Sequence, residues 1–240
     1  MTSPASTQAY YDRFSASYER ERHHGYHRLI DELEGELIER YGRNRDVFEA
    51  GCGTGLLLRD ASRVARKAVG LDLSRGMLAT ALQRGLKVVQ GSVTAVPLPD
   101  ASFDLVYSMK VLAHVPPIRE ALAELSRLVR PGGHLLLEFY NPYSLRYLAK
   151  RLGGPARIDG DTTDHDVFTR YDTLEQAKSY LPPDLEFVGT RGVRIFTPTS
   201  SVFKVNALGR LFAWAEHKAC DVPLFRNLGG FMIVIARKRG

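Results

Sequence analysis

An α/β fold is what the 240-residue sequence predicts: a doubly wound, mostly parallel sheet with helices on both faces and an antiparallel end. Three observations predict it. Short apolar strands alternate with segments of helical period as far as residue 140, a pattern that calls for parallel pairing with both sheet faces covered. The first strand runs into glycine and the second ends on an aspartate. The last third holds two strands either side of a helical insertion, without the crossover pattern of the first half, which suits an antiparallel end.

The elements follow in order. Over residues 6–41, Leu29, Leu33, Leu37 and Ile38 recur at three- to four-residue spacing, a helical pattern weakened by Gly35 and ended by Tyr41-Gly42. Asp46–Ala50 is short, apolar and followed by glycine, hence a buried first strand, and residues 54–65 return to helical spacing. Residues 68–73 form a second strand, and Ser74 is placed to cap a helix to about residue 82. Strands are expected at 86–90 and Phe103–Ser108, then a helix over 116–129 stopped by Arg130-Pro131-Gly132-Gly133, then a strand over 134–140. Beyond it come a helix at 143–152, a polar loop at 153–166, a short helix at 173–180, a strand at 185–195, a helix at 202–220 and a last strand at 230–237.

Composition narrows the function. Cys52 and Cys220 stand far apart with no CxxC spacing and no His/Cys cluster, so neither a disulfide framework nor a metal site is suggested. The N-terminus has no apolar signal region, and the longest apolar runs, 135–137 and 231–236, are of strand length; a soluble cytoplasmic protein without a membrane span is expected. Net charge is +6, but the basic residues are interleaved with acids, a solvated surface that disfavours nucleic acid as the partner.

VFEAGCGTGLLL (47–58) carries the first functional signal. Gly51, Gly53 and Gly55 give GxGxG, with Leu56 where a dinucleotide fingerprint has its third glycine, and no GK[ST] follows to make a triphosphate loop. What remains is a turn that lets a ligand approach the backbone, preceded by Glu49. A carboxylate there repels a pyrophosphate and suits an ammonium group. Asp72, ending the second strand, is placed to accept hydrogen bonds from a ribose diol. An adenosine joined to an amino acid is the natural ligand.

Four stretches, EAGCGTG (49–55), GLDLSRGML (70–78), VPLPDASFDLVYS with HVPP close behind (96–117) and LSRLVRPGGHLLL (125–137), resemble in order and spacing the motifs of class I S-adenosylmethionine-dependent methyltransferases, the broad group that includes the ubiquinone-biosynthesis-type enzymes. The opening YYDRFSASYE resembles the N-terminal cap of that group. The resemblance implies a Rossmann-like, seven-stranded, mostly parallel sheet with an antiparallel terminal strand, and S-adenosyl-L-methionine as cofactor. It implies that the backbone of Gly51, Cys52 and Gly53 meets the methionine moiety, with Glu49 beside it, and that Asp72 binds both ribose hydroxyls. Leu73 and Met77 would flank the adenine, with Ser92 and Val93 at its edge. Ser92 departs from the group, which often has Asp there. Ser108 and Met109 would lie near the sulfonium, and Tyr18 would close over the cofactor.

A general base is needed only if the acceptor must lose a proton. His114 leads because it follows the fourth strand on the expected cofactor side; Tyr140, His23 and His24 are alternatives. Lys110 is placed either to hold an anionic acceptor or to face solvent. Asn141-Pro142-Tyr143 echoes an amine-methylating NPPY signature but follows the wrong strand and lacks the second proline, so it reads as a turn. One methyltransferase domain is expected over 1–240, with a helical cap at 1–45, a cofactor core at 46–140 and acceptor-side segments at 141–240. Aromatics in those last segments, among them Tyr143, Tyr147, Phe168, Tyr171 and Trp214, suit a small-molecule acceptor that is partly apolar or aromatic. An RNA methyltransferase and a non-catalytic S-adenosylmethionine-binding protein remain as alternatives.

Overall fold

The computed structural model describes residues 4–15, 18–19, 25–153, 157–159, 162–163, 168–197 and 199–240. Its strands are β1 (Asp46–Ala50), β2 (Lys67–Asp72), β3 (Val88–Gln90), β4 (Phe103–Ser108), β5 (Val129–Tyr140), β6 (Arg157–Asp159), β7 (Thr162–Thr163), β8 (Leu185–Val193) and β9 (Phe231–Lys238). Seven form one sheet in the order β3-β2-β1-β4-β5-β9-β8, while β6 and β7 make a separate antiparallel pair. β1 to β5 run parallel, and β9 runs antiparallel to both β5 and β8, between which it lies.

Both faces are buried because the strand side chains alternate between two helical layers. Phe48, Val106 and Leu137 face α5 (Ile118–Leu128) through Ala121, Leu122 and Leu125. Val47, Leu105 and Leu136 face the other way, onto α2 (Tyr26–Gly42) through Leu29, Leu33 and Leu37, and onto α3 (Leu56–Ser62) through Leu57. Leu33 and Leu37 are fully buried, and removing either side chain down to alanine costs about 2–5 kcal/mol. α4 (Arg75–Gln83) closes the β2 side, packing Leu78 and Ala81 against Leu58 and Leu86. Arg191 of β8, 1% exposed, reaches Glu36 of α2 and Asp221, tying the far edge of the sheet to that layer.

Several boundaries differ from expectation. The N-terminal pattern is two helices, α1 (Pro4–Phe14) and α2, rather than one. α5 gives way to β5 without an intervening turn: Ala101 and Ser102 donate backbone bonds to the carbonyls of Arg127 and Leu128, and Val129 already pairs with Phe103, so Arg130-Pro131-Gly132-Gly133 lies inside the strand. The loop expected at 153–166 contains β6 and β7. After α6 (Leu145–Gly153) and α7 (Leu174–Ser179), the helix expected at 202–220 is a short 3-10 turn, Ser200–Lys204, followed by α8 (Asn206–Ala219). No helix among the described residues is long and apolar enough to cross a membrane.

Candidate active site

The site gathers at the C-terminal ends of β1, β2, β4 and β5, where the chain order reverses between β1 and β4 and a parallel sheet opens a crevice. The glycine turn bends back over β2: the amides of Gly51 and Cys52 both donate to the Leu71 carbonyl, at 2.7 and 2.9 Å. Gly51 has φ +80°, and a Cβ there would lie 2.2 Å from Val111 Cγ2, so the turn admits only glycine. Gly53, with φ +54°, has open space where its side chain would be.

Asp72 is held from two sides. The Gly53 amide donates to Oδ2 at 2.8 Å and the Ser74 amide to Oδ1 at 2.9 Å. Each oxygen keeps a lone pair for a ligand hydroxyl. Burial pushes this carboxyl up and the backbone bonds partly offset it. Glu49 is 3% exposed, receives the Tyr107 hydroxyl at 3.0 Å, and is pushed well above the ordinary carboxylate range by burial. A cationic partner would relieve it. The Cys52 thiol is buried and pushed up, so it is inert.

Around this centre, Ser74 caps α4 by accepting from the Met77 amide; Met77 is buried and Leu73 half-buried. The Ser92 hydroxyl is shared with that of Thr94 at 2.7 Å, and Val93 is buried in the main core. Ser108 donates to the Ala50 carbonyl at 2.9 Å, fastening β4 to β1, and Met109 is buried. These residues and the glycine turn occupy one end of the sheet. α1 lies over it: Asp12 accepts from the Ser74 hydroxyl and the Gly76 amide, while Glu19 pairs with Arg84 at the other end of α4. Tyr18 is half-buried beside this strap. Tyr11 lies within electrostatic reach of both Asp72 and Tyr140, and burial raises its phenol.

On the β4–β5 side, His114 Nδ1–H donates to the Phe168 carbonyl at 2.9 Å, which leaves the lone pair on Nε2, 3.5 Å from the Tyr140 hydroxyl. Burial, with Arg146, Lys150 and Arg170 nearby, lowers the His114 pKa against the opposing bond to Phe168. Tyr140 is buried and its phenol pushed up by burial. Lys110 departs from the solvent-facing alternative: its side chain is 21% exposed and paired with acids of α2. Its ammonium binds Glu34 of α2 at 2.6 Å and Asp31 at 3.4 Å, and its amide donates to Glu138. Glu34 and Glu138 are fully buried, and burial together with Glu34 pushes the Glu138 carboxyl well up. His23 and His24 lie outside the described residues. The Asn141 side chain ties its turn to the carbonyls of Asn227 and Gly229 and receives the Tyr143 amide.

Asp12, Glu34, Glu138 and Arg146 carried no signal in the sequence, since each gains its role from partners distant in the chain. An open groove of about 560 Å³ between α2 and α3 contains none of the glycine-turn or β4–β5 residues. Among the described residues no group of three or more His, Cys, Asp or Glu side chains is arranged to hold a metal ion.

A switch-point crevice with a glycine turn, one acid ahead of it and another ending the next strand is the place where an open α/β sheet takes a nucleotide-like ligand. The described residues fit such a ligand: open space at Gly53, spare lone pairs on Asp72 and a buried carboxylate at Glu49 in want of a cation. Comparison with known proteins agrees. The model of a family described as a methyltransferase domain matches residues 48–137. A ubiquinone biosynthesis O-methyltransferase of Methylococcus capsulatus is 33% identical over 173 residues, 68% of this chain and 72% of that protein. A malonyl-[acyl-carrier protein] O-methyltransferase of Serratia marcescens is 38% identical over 104 residues, 42% of this chain but only 41% of that protein, so the chain spans less than half of its length. The fold matches a crystal structure from Thermotoga maritima described as an S-adenosylmethionine-dependent methyltransferase, possibly for histamine N-methylation, with TM-score 0.68 at 18% identity over 97% of this chain and 99% of that one. The chain belongs to the class I S-adenosylmethionine-dependent methyltransferases, and S-adenosylmethionine is its cofactor.

Proposed function

We propose that this protein transfers the methyl group of S-adenosylmethionine to a hydroxyl of a small, partly aromatic acceptor. The observation that carries this reading is the orientation of His114: with Nδ1–H committed to Phe168, Nε2 offers a lone pair beside the ring of Tyr140. The named O-methyltransferase activities of the two relatives support oxygen as the acceptor atom.

In this reading Glu49 and the Gly51-Cys52-Gly53 backbone hold the amino-acid end of the cofactor, and Asp72 holds the ribose diol. Leu73, Met77, Ser92 and Val93 bound the adenine; Ser108 and Met109 back the reacting centre; Tyr18, with Tyr11, covers it. The 1–45 segment is the cap, 46–140 the cofactor core and 141–240 the acceptor side of one domain. When bound, the cofactor would supply a methyl carbon on a positively charged sulfur. His114 Nε2 would take the proton that the acceptor hydroxyl loses. The 3.5 Å contact from Tyr140 is long enough for an acceptor hydroxyl to replace it. Positioning and exclusion of water supply the rest of the rate.

The test is transfer of labelled methyl from S-adenosylmethionine to a panel of phenols, aliphatic alcohols, amines and RNA. Label on a phenol, reduced in His114→Gln at unchanged cofactor affinity, is the expected result. Label on RNA or an amine, or full turnover in that variant, overturns the reading.

A further inference from the structure

α8 is fixed to the molecule by a small residue and a carboxylate, and shows its large apolar side chains to solvent. Gly209 lies close to Phe203, where a Cβ would stand 3.2 Å from ring carbon Cδ1. Fully buried Glu216 accepts the amides of Ile195, Phe196 and Thr197. Leu208, Leu211 and Trp214, recurring at three-residue spacing on the outer side, are exposed. Trp214, the only tryptophan of the chain, is 61% exposed. A surface helix ordinarily buries its leucines and exposes its acids; in α8 that order is reversed.

The charges around this face are of one sign. Between residues 200 and 219 the exposed cations are Lys204, Arg210 and Lys218, the single carboxylate is the buried Glu216, and His217 is paired with Glu36. Asp221, just past the helix, is held by Arg40 and Arg191. α6 repeats the pattern: Leu145, Leu148 and Leu152 are exposed, and its charged residues are all basic. Tyr140, Phe231 and Val193 align across β5, β9 and β8, so α6 and the segment carrying α8 leave the sheet at the same end.

We propose that α8, together with α6, docks this protein on an anionic membrane surface, with Leu208, Leu211 and Trp214 entering the boundary between headgroups and acyl chains. At 14 residues α8 is too short to span a bilayer, so it lies along the surface. Leucines at the acyl boundary with Lys204, Arg210 and Lys218 on lipid phosphates is the pattern of a helix lying in the membrane plane. Tryptophan suits that depth because its ring is apolar and its N–H is polar. A second copy of the chain matches this face poorly, since a two-fold contact would set the same three cations against each other. Nucleic acid would meet the cations and leave the leucines uncovered.

Trp214 is its own reporter, because all tryptophan emission comes from it. The full chain is titrated with vesicles of phosphatidylcholine alone and of phosphatidylcholine with about one third phosphatidylglycerol. Expected with the anionic vesicles alone are a blue shift of the emission and cosedimentation, both weakening as salt is raised. Arg210→Gln and Lys218→Gln should each lower vesicle affinity about fivefold. The Leu208→Glu/Leu211→Glu double variant should abolish binding, with S-adenosylmethionine affinity unchanged as the control for folding. No shift with anionic vesicles, an equal response to neutral ones, or binding that survives the double variant overturns the proposal. So does a shift that grows with protein concentration without lipid as the mass doubles, which assigns the face to a second copy, or a shift produced by RNA and not by vesicles. The comparison of the two vesicles uses the parent protein and stands even if a variant does not fold.

Discussion

Asp12 of the first helix accepts the hydroxyl proton of Ser74 at 2.5 Å, and through the Gly76 amide it also caps the N-terminus of α4. The N-terminal strap is thus fastened to the helix that follows Asp72. Asp12→Ala removes the Oδ1 that accepts both bonds at a helix N-terminus, a loss of about 0.5–2 kcal/mol. Expected is weaker S-adenosylmethionine binding through faster release, read by stopped-flow dissociation; an unchanged release rate would mean the strap does not gate the site. These bonds lower the Asp12 pKa, so their contribution is present above its unfolded value of 3.8 and is lost as pH falls through the lower folded value.

Asp72→Ala should weaken cofactor binding by about 1.5–3 kcal/mol, the cost of losing charge-assisted hydrogen bonds to a diol. Asp72→Asn should lose nearly as much, because its amide nitrogen cannot accept from Gly53 or Ser74. Calorimetric titration with S-adenosylmethionine measures both, and parent-like affinity in either variant would remove Asp72 from the ribose.

His114→Gln should reduce turnover by roughly 10²–10⁴-fold if a proton passes to Nε2. Since burial lowers the His114 pKa, the neutral base persists below 6.5 and the acid limb of the pH–rate profile should fall there rather than above it. The native state binds fewer protons than the unfolded one in that range, so stability conferred by neutral His114 is present above 6.5 and is lost as pH falls toward the lower folded value. A profile with its acid limb above 6.5 would assign the base elsewhere.

Lys110→Met leaves Glu34 and Glu138 buried with no ammonium between α2 and the sheet. Breaking a buried pair by removing one member costs about 3–5 kcal/mol, so the denaturation midpoint should drop sharply. A change under about 1 kcal/mol would show that a proton shared by the two carboxyls suffices.

The strands of the sheet were legible because burial on both faces makes Val47, Phe48 and Leu135 to Leu137 read as continuous apolar runs, and the chemistry of the glycine turn is local in sequence. The break between α1 and α2 was not, since helical period on each side outweighs the signal between them. Lys110 could be placed only at an acceptor or in solvent, and Arg146 carried no signal. Their partial burial follows from α2 and α6 folding back across the strand ends, a tertiary event with no periodicity to announce it.

β8 precedes β9 in the chain but lies outside it, with its sheet bonds made to β9. β8 and β9 therefore join the sheet as an antiparallel pair, through β9 against β5. Without that pair the five parallel strands would end in an open edge at β5, and closing it needs contacts distant in sequence, which slow folding. Loss of the β8–β9 pair would therefore expose β5 as a sheet edge open to pairing with other chains.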